Sequence, residues 1–237
     1  MVLSSLFTSI DQLEKLPRNF RDLEEFNLQA SASAQFTEDE LAFLCQKYRN
    51  KKLIIVDLRY EYHGFVDGNI VSYKNINNEE STTNNFSFNH SQEKIVLLEM
   101  NKTKPFLTKS NEIEILTEEQ LCQKHNCQYY RFALKDHTFP TPTQLEEIID
   151  FLKKIEQNPN NKIHIHCAAG RGRTAIFLAI YDIFKNHRLV AIEEIFKRHA
   201  KLGGADLNNI ANEYEWSDEE KKHINILFDL YNKLNQH

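Results

Sequence analysis

Nine consecutive residues, His166 to Thr174, carry the side chains best suited to chemistry in this sequence. They read His-Cys-Ala-Ala-Gly-Arg-Gly-Arg-Thr, with an apolar run before them and a second one after them. A loop between a strand and a helix N-terminus turns its backbone N–H groups inward and forms a nest for an anion. Cys167 lies at the base of this nest, where the positive field favours the thiolate. The segment therefore predicts a nucleophile beneath a bound tetrahedral anion, aimed at phosphorus.

The other residues of this loop have complementary predicted roles. Arg173 falls on the first helical turn, where its planar guanidinium can hold two phosphoryl oxygens. Thr174 can donate a hydrogen bond to the sulfur, and the glycines permit tight curvature and close approach of a ligand. The residues expected to line the bound substrate are Ala168, Ala169, Gly170, Arg171 and Gly172. A buried structural cysteine beside a solvated turn is the alternative, but chance rarely produces the joint Cys-x5-Arg-Thr pattern between a strand and a helix.

A general acid is expected on another loop, because the leaving group needs a proton. Asp136 follows a predicted strand and precedes a capped helix, which places it at the same edge of the sheet as Cys167. Alone, it would be interpreted as a turn aspartate before a proline-stiffened helix start; beside the cysteine loop it is the candidate acid. His137 is expected either to bind substrate or orient Asp136, or to be a solvated loop histidine.

The elements that must position these residues alternate between strands and helices. The predicted strands are Lys52–Leu58, Tyr129–Leu134 and Lys162–Cys167, with shorter ones at Lys94–Glu99 and Glu112–Leu116. Helix starts are predicted at Thr37, Thr117, Thr141 and, for the last helix, Ser217. This alternation predicts an α/β fold. Ile76 to Asn89 is rich in Asn, Ser and Thr without periodicity, so we expect one domain, residues 1–237, with a loop or small β insertion at about 70–115.

Composition narrows the class of protein. The chain has 237 residues and a formal net charge of −5, which does not favour a nucleic-acid binder. The sequence contains no run of 18 apolar residues, so no membrane-spanning helix is expected. The N-terminus has no basic region typical of a signal peptide. We therefore expect a cytoplasmic protein, or one exported by a dedicated secretion system. The four cysteines are too few for a disulfide scaffold and complete no convincing zinc set, so no metal is expected.

The loop motif resembles the HCxxGxxR[ST] signature of the cysteine-dependent tyrosine phosphatase superfamily. Four further segments resemble the bacterial phosphatase-like phytases, which are inositol polyphosphate phosphatases. They are PRNFR at residues 17–21, VDLRYEYHGFVDGN at 56–69, KDHTFPTP at 135–142 and KRHAKLGG at 197–204. The resemblance implies a tyrosine-phosphatase-like fold with a central, largely parallel sheet flanked by helices.

The resemblance also implies a mechanism without metal or organic cofactor. Cys167 would attack phosphorus, Asp136 would protonate the leaving alkoxide, and water would hydrolyse the cysteinyl-phosphate with Asp136 as base. His166, Arg173 and Thr174 complete the catalytic set, and a monomer is expected. The implied substrate is a small anionic inositol polyphosphate, contacted also by Lys135, His137, Arg21, Lys102 and Lys104.

Two departures leave the substrate open. The phytases often have Glu where this chain has Ala168, and Arg171 replaces a more usual apolar residue, reminiscent of the lysine of inositol-lipid phosphatases. A protein tyrosine or dual-specificity phosphatase would need an aromatic pocket wall, and the sequence identifies none. A phosphoinositide phosphatase would need a membrane-docking segment, which is not apparent. A pseudophosphatase would lack Cys, Asp or Arg, and all three are present.

Overall fold

The computed structural model describes residues 16–72, 90–103, 113–212 and 216–236. Lys104 and the Asn-rich segment 76–89 lie outside the described residues. The strands are β1 (Arg21–Asp22), β2 (Ala30–Ala34), β3 (Lys52–Arg59), β4 (His63–Val66), β5 (Asn69–Ser72), β6 (Ile115–Leu116), β7 (Gln128–Leu134) and β8 (Asn161–Cys167). The helices are α1 (Glu38–Lys47), α2 (His90–Thr103), α3 (Glu118–Lys124), α4 (Pro142–Glu156), α5 (Gly172–Asn186), α6 (Ile192–Lys201), α7 (Asp218–Lys222) and α8 (Asn225–Asn235). Glu24–Phe26 and Leu207–Asn212 form 3-10 turns.

The main sheet has the strand order β1-β2-β8-β3-β7. The four strands β2, β8, β3 and β7 are parallel, and only β1 is antiparallel. Cys167 pairs with Ala34, and His166 pairs with Asp57 on the other side. Parallel pairing brings the carboxyl ends of these strands to one edge of the sheet. The predicted α/β class, with a central and largely parallel sheet, is confirmed.

Both faces of the sheet are buried, which explains the continuous apolar run of β3. Ile54 and Val56 pack on the face covered by α4, α5, α6 and α8. Leu53 and Ile55 pack on the opposite face, against α1 and α3. Helix α5 is apolar almost all round because it lies in the centre of the first layer. The strand that ends at Cys167 is therefore rigidly held on both sides.

The predicted helix starts are confirmed at four threonine or serine caps. Thr37, Thr117, Thr141 and Ser217 each accept a hydrogen bond from the backbone three residues on, and each receives a reciprocal Glu or Gln side chain. The helix after Ser217 is shorter than expected. It ends at Lys222, and a separate helix begins at Asn225. None of the helices in the described ranges is long and apolar enough to cross a membrane.

The prediction of a strand at Lys94–Glu99 is wrong, because this segment lies inside α2. A short apolar run does not distinguish a strand from a helix by itself. The burial pattern does: Glu93 and Leu97, one helical turn apart, are buried, whereas Ile95 and Leu98 are exposed. The neighbouring predicted strand at 112–116 is reduced to Ile115–Leu116, which joins β4 and β5 in a separate three-stranded sheet.

Candidate active site

The loop after β8 has the shape that its sequence predicts. Cys167 ends the strand and is buried, and α5 begins at Gly172. Gly170 has a φ of +71°, and a Cβ there would lie 2.5 Å from the backbone of Ser33 and Ala34. Any other residue would strain the loop or displace β2. The close approach of loop and strand thus makes Gly170 a structural requirement of the site.

The carbonyl oxygens of this loop are held from outside. Gln35 N donates to the carbonyl of Ala168 at 3.3 Å. Asn19 Nδ2 donates to the carbonyls of Ala169 at 3.4 Å and Gly170 at 3.1 Å. With its carbonyls turned outward, the loop directs its N–H groups toward the space above Cys167, beside the N-terminus of α5. The result is an anion-binding nest over a buried thiol.

Arg173 follows this loop on the first turn of α5, and part of its guanidinium is hydrogen-bonded within the protein. Nη1 donates to Glu61 Oε2 at 2.7 Å and Nη2 to Glu61 Oε1 at 3.2 Å, while Nη1 also reaches the carbonyl of Leu134 at 3.2 Å. Nε is buried and makes no hydrogen bond to any residue that the structure describes. A buried donor with no partner is costly, so this N–H is suited to an anionic ligand. Glu61 fixes one side of the fork and leaves the other for phosphoryl oxygens.

Arg173 and Glu61 each shift the pKa of the other. Burial would raise the pKa of Glu61, but the hydrogen bonds and charge of Arg173 outweigh burial and hold this pKa well below its usual range. The pKa of Arg173 is raised in turn, because Glu61 overcomes the opposing effect of burial. Both groups are therefore charged near neutral pH, and the clamp is preorganised.

Asp136 lies next to the guanidinium of Arg173. Its Oδ1 is 3.1 Å from Arg173 Nε, at ion-pair distance but without the alignment of a hydrogen bond. Its side chain is 58% exposed. Lys135 is exposed beside it, and His137 adopts a φ of +58°. The structure thus brings Asp136 to the same guanidinium that faces the nucleophile.

The remaining predicted residues fall into three groups. Thr174 is buried, and its hydroxyl has no hydrogen-bond partner among the described residues, so it is available for the predicted bond to the Cys167 sulfur. Arg171 is exposed at the start of α5. Lys102 lies on α2 with an undescribed side chain, and Lys104 is outside the described residues.

Arg21 is close to the site but buried behind the loop. Its Nη2 donates to the carbonyl of Gly170 at 2.8 Å, and Nη1 donates to the carbonyl of Asn19 at 3.0 Å. Burial lowers the pKa of Arg21 to about 10, opposed by the nearby Cys167. The contacts shown are those of a residue that shapes the loop, and substrate contact by Arg21 stays a prediction.

A chain of side-chain hydrogen bonds joins the two ends of the catalytic loop. His166 Nε2 donates to Glu118 Oε1 at 2.6 Å, and Gln35 Nε2 donates to Glu118 Oε2 at 2.8 Å. Arg59 Nη1 then donates to Gln35 Oε1 at 3.1 Å, and Arg59 Nε donates to Glu61 Oε1 at 2.8 Å. Glu61 returns the chain to Arg173. The residue before the nucleophile and the phosphate clamp are therefore held by one connected network.

A second buried cluster supports this network from the side of β4. His63 Nε2 lies 3.0 Å from Glu118 Oε2 and 3.3 Å from Asp57 Oδ2. Arg131 Nε lies 3.1 Å from Asp57 Oδ2. Burial lowers the pKa of His63, but Asp57 and other carboxylates outweigh it and raise this pKa to about 9. Asp57, Glu118 and His166 lie close enough together to hold a metal ion, but these carboxylates already neutralise His63 and Arg131.

Sequence reasoning did not find Glu61, Gln35, Glu118 or Asn19. Glu61 had a readable signal: it follows the apolar strand β3 at the carboxyl edge, which is the rule that selected Asp136. Gln35 follows β2 in the same way. Glu118 is the first residue of a capped helix and looks like an ordinary dipole-stabilising acid. Its role depends on packing under β4 and β8, which no local pattern predicts.

The parallel sheet, the Cys-x5-Arg loop at its carboxyl edge and the adjacent aspartate define a class. The chain resembles the cysteine-dependent tyrosine phosphatase superfamily in its fold and in the sequence of this loop. Within the superfamily it is similar to the PTP-like phytases. The sequence model of the PTP-like phytase family, whose description names inositol hexakisphosphate, matches residues 74–185, a little under half of the chain.

Two solved structures share this fold at useful identity. One is the PTP-like myo-inositol phosphatase from Mitsuokella multacida in complex with myo-inositol-(1,3,4,5)-tetrakisphosphate, with a TM-score of 0.75, 25% identity, and coverage of 93% of this chain and 43% of that chain. The other is a PTP-like phytase from Bdellovibrio bacteriovorus, with a TM-score of 0.72, 26% identity, and coverage of 94% and 85%. These matches confirm the resemblance expected from the sequence.

A related sequence belongs to a plant-associated bacterium. The effector protein HopD2 of Pseudomonas syringae pv. tomato is 23% identical over 215 residues, which cover 84% of this chain and 46% of HopD2. The chain thus spans less than half of HopD2 and of the Mitsuokella chain.

Proposed function

We propose that the protein hydrolyses phosphate monoesters of myo-inositol polyphosphates through a cysteinyl-phosphate intermediate. The observation that carries this proposal is the Nε of Arg173, which is buried, makes no hydrogen bond within the described residues and lies 3.1 Å from Asp136 Oδ1. A donor in that position is matched to a phosphoryl oxygen, with a nucleophile on one side and an acid on the other.

In the first step, the Cys167 thiolate attacks phosphorus and the P–O bond to the inositol oxygen breaks. The electron pair of that bond goes to the leaving oxygen, which takes the proton of Asp136. The loop N–H groups and Arg173 stabilise the charge on the three equatorial oxygens. Binding at Arg173 and in the nest costs little reorganisation, since Glu61 and Asn19 already hold the donors in place.

In the second step, a water molecule attacks the phosphorus of the cysteinyl-phosphate. The Asp136 carboxylate takes a proton from this water, the P–S bond breaks, and the thiolate is restored with release of inorganic phosphate. The Thr174 hydroxyl is placed to donate to the sulfur as negative charge returns to it.

The inositol polyphosphate class is supported by the family match and by exposed positive charge. Arg171 and Lys135 lie at the mouth of the site on different loops, so they can contact phosphates other than the one being removed. Of the two locations expected from the sequence, similarity to a protein named as an effector favours export.

Phosphate release from phytate, a phosphotyrosine peptide and a phosphoinositide, measured side by side, tests the substrate. We expect phytate to be preferred; a preference for either other substrate would replace the proposed class.

Cys167→Ser is expected to lower turnover of every substrate roughly 10⁴-fold or more while inorganic phosphate still binds. Turnover that survives this change would exclude Cys167 as the nucleophile.

A further inference from the structure

The only tryptophan of the chain, Trp216, bridges the two halves of the candidate site. Its ring lies 5.9 Å from the ring of His137, edge to face, and 5.2 Å from the ring of Phe139. Its Cζ2 is 3.6 Å from the position that a Cβ on Gly172 would occupy. One side chain therefore contacts both the segment that carries Asp136 and the first residue of α5.

Trp216 is almost completely buried, with 4% of its surface exposed. This burial excludes it as an open wall for a phosphotyrosine ring. Ser217, the next residue, caps α7 with both hydrogen bonds of a capping box, which fixes the chain where Trp216 enters. A buried indole whose backbone is fixed by the adjacent helix cap is suited to hold neighbouring segments at a fixed distance.

The segment around Asp136 needs such support. Asp136 is 58% exposed, and the next residue, His137, has the left-handed φ of +58° that non-glycine residues adopt at a cost. Within the turn, Thr138 Oγ1 donates to the carbonyl of Lys135 at 2.9 Å. The ring contacts of Trp216 on His137 and Phe139 flank that turn. Packing from outside the turn therefore offsets the strain within it.

We propose that Trp216 is a positioning residue: it clamps the general-acid turn, residues 135–139, against the start of α5 and so sets the approach of Asp136 to the leaving oxygen. The proposal rests on the proposed phosphatase activity. Trp216 lies beyond residue 185, where the family match ends, so this part of the site comes from the C-terminal region.

Leaving-group dependence separates positioning from general stability. Phenyl phosphate releases a poor leaving group that needs the acid, whereas 4-nitrophenyl phosphate releases one that does not. Trp216→Phe is expected to lower kcat/KM for phenyl phosphate about tenfold and for 4-nitrophenyl phosphate less than threefold. Asp136→Asn is expected to show the same selectivity with a larger effect. Equal losses on both esters with Trp216→Phe would overturn the proposal.

Phe151→Leu is the matched control. Phe151 is a comparably buried aromatic on α4, packed against Tyr130 and Phe132 of β7, and within the described residues its ring contacts do not include the general-acid turn. We expect it to lower the melting temperature without changing the ratio of the two esters. The same selectivity from Phe151→Leu would show that loss of packing alone produces the pattern, and would also overturn the proposal.

Tryptophan fluorescence tests the contact without turnover. With one tryptophan in the chain, the emission comes from Trp216 alone. Inorganic phosphate is expected to change this emission relative to chloride at equal ionic strength, and His137→Ala is expected to shift the emission in the free protein. Emission unaffected by both would overturn the clamp. If the wild type releases phosphate from neither ester nor phytate, the proposed function fails, and a fluorescence response would still support the packing role.

Discussion

Two parts of the candidate site differ in how firmly they are held. The site floor consists of Cys167, Arg173, Glu61, His166 and Glu118. Within it, Arg173, His166 and Glu118 are buried, and Glu61 pairs with the Arg173 guanidinium through both of its oxygens. The site rim consists of Lys135, Asp136 and Arg171, which are exposed. Asp136 joins the rim to the floor through its ion pair with Arg173, in which Oδ1 lies 3.1 Å from Nε.

This difference separates the reaction from the choice of substrate. In the proposed function, Cys167 and Arg173 of the floor contact the phosphoryl group, which is common to every monoester, so the geometry of the floor sets the type of reaction. The rim contacts whatever surrounds that group. Exposed lysine and arginine side chains contribute modest, salt-sensitive attraction, which grows with the number of charges on the ligand. A floor substitution should therefore affect all substrates alike, whereas a substitution of the rim cations Lys135 or Arg171 should affect polyanionic substrates most.

After Cys167→Ser, the largest effect on activity is expected from Glu61→Gln on the floor. Glutamine keeps the size of Glu61 but turns an NH₂ group toward the Arg173 guanidinium, so one of the two bonds is lost and the fork is no longer fixed. We expect kcat/KM to fall about 10- to 100-fold, or roughly 1.4–2.7 kcal/mol of transition-state stabilisation. The loss should be similar for phytate and 4-nitrophenyl phosphate. A loss confined to phytate would place Glu61 functionally in the rim.

The sequence predicts the parts of the site that depend on local spacing and on the shared edge of parallel strands. The loop from Cys167 to Arg173 is local: strand, glycine turn and helix start are adjacent in the chain, so spacing alone predicts the nest. Asp136 could be predicted because the ends of parallel strands share one edge. These inferences needed no knowledge of which strands are neighbours.

The supporting network could not be predicted for the opposite reason. Glu118 reaches His166 from 48 residues away, and only the register of β3 against β8 brings Asp57 beside His166. The apolar run in α2 is short, so its sequence also fits the strand predicted at Lys94–Glu99. Leu97 is buried and Ile95 is exposed because α2 packs on β4 and β6. Trp216 carried no signal at all, since its role depends on the path of the C-terminal region.

A smaller effect, on stability, is expected from the histidine below the floor. Burial, Arg59 and Arg131 act to lower the pKa of His63, but the charge and hydrogen bond of Asp57 outweigh them and raise this pKa to about 9 from an ordinary 6.5. The folded state thus holds a proton that the unfolded state releases above pH 6.5. The stabilisation is complete below pH 6.5 and is lost as the pH rises through 9, by about 1.4 kcal/mol per pH unit in between.

Urea unfolding at pH 6.5, 7.5, 8.5 and 9.5 measures this contribution. The wild type should lose stability over this range more steeply than His63→Gln, which has no proton to release. His223→Gln, at an exposed histidine, should retain the wild-type slope. Parallel slopes for the wild type and His63→Gln would show that His63 is not protonated preferentially in the folded state.

The smallest effect is expected at the rim, from Arg171→Ala. Arg171 is exposed and caps α5 without a side-chain hydrogen bond, so its removal should leave the loop backbone intact. For phytate we expect kcat/KM to fall about three- to tenfold at low ionic strength, with the loss shrinking as salt is added. For 4-nitrophenyl phosphate, which has no second phosphate to contact, the change should stay below twofold. Equal losses on both substrates would mean that Arg171 acts on the reacting phosphoryl group, and the boundary between floor and rim would then lie further out than the burial of the side chains indicates.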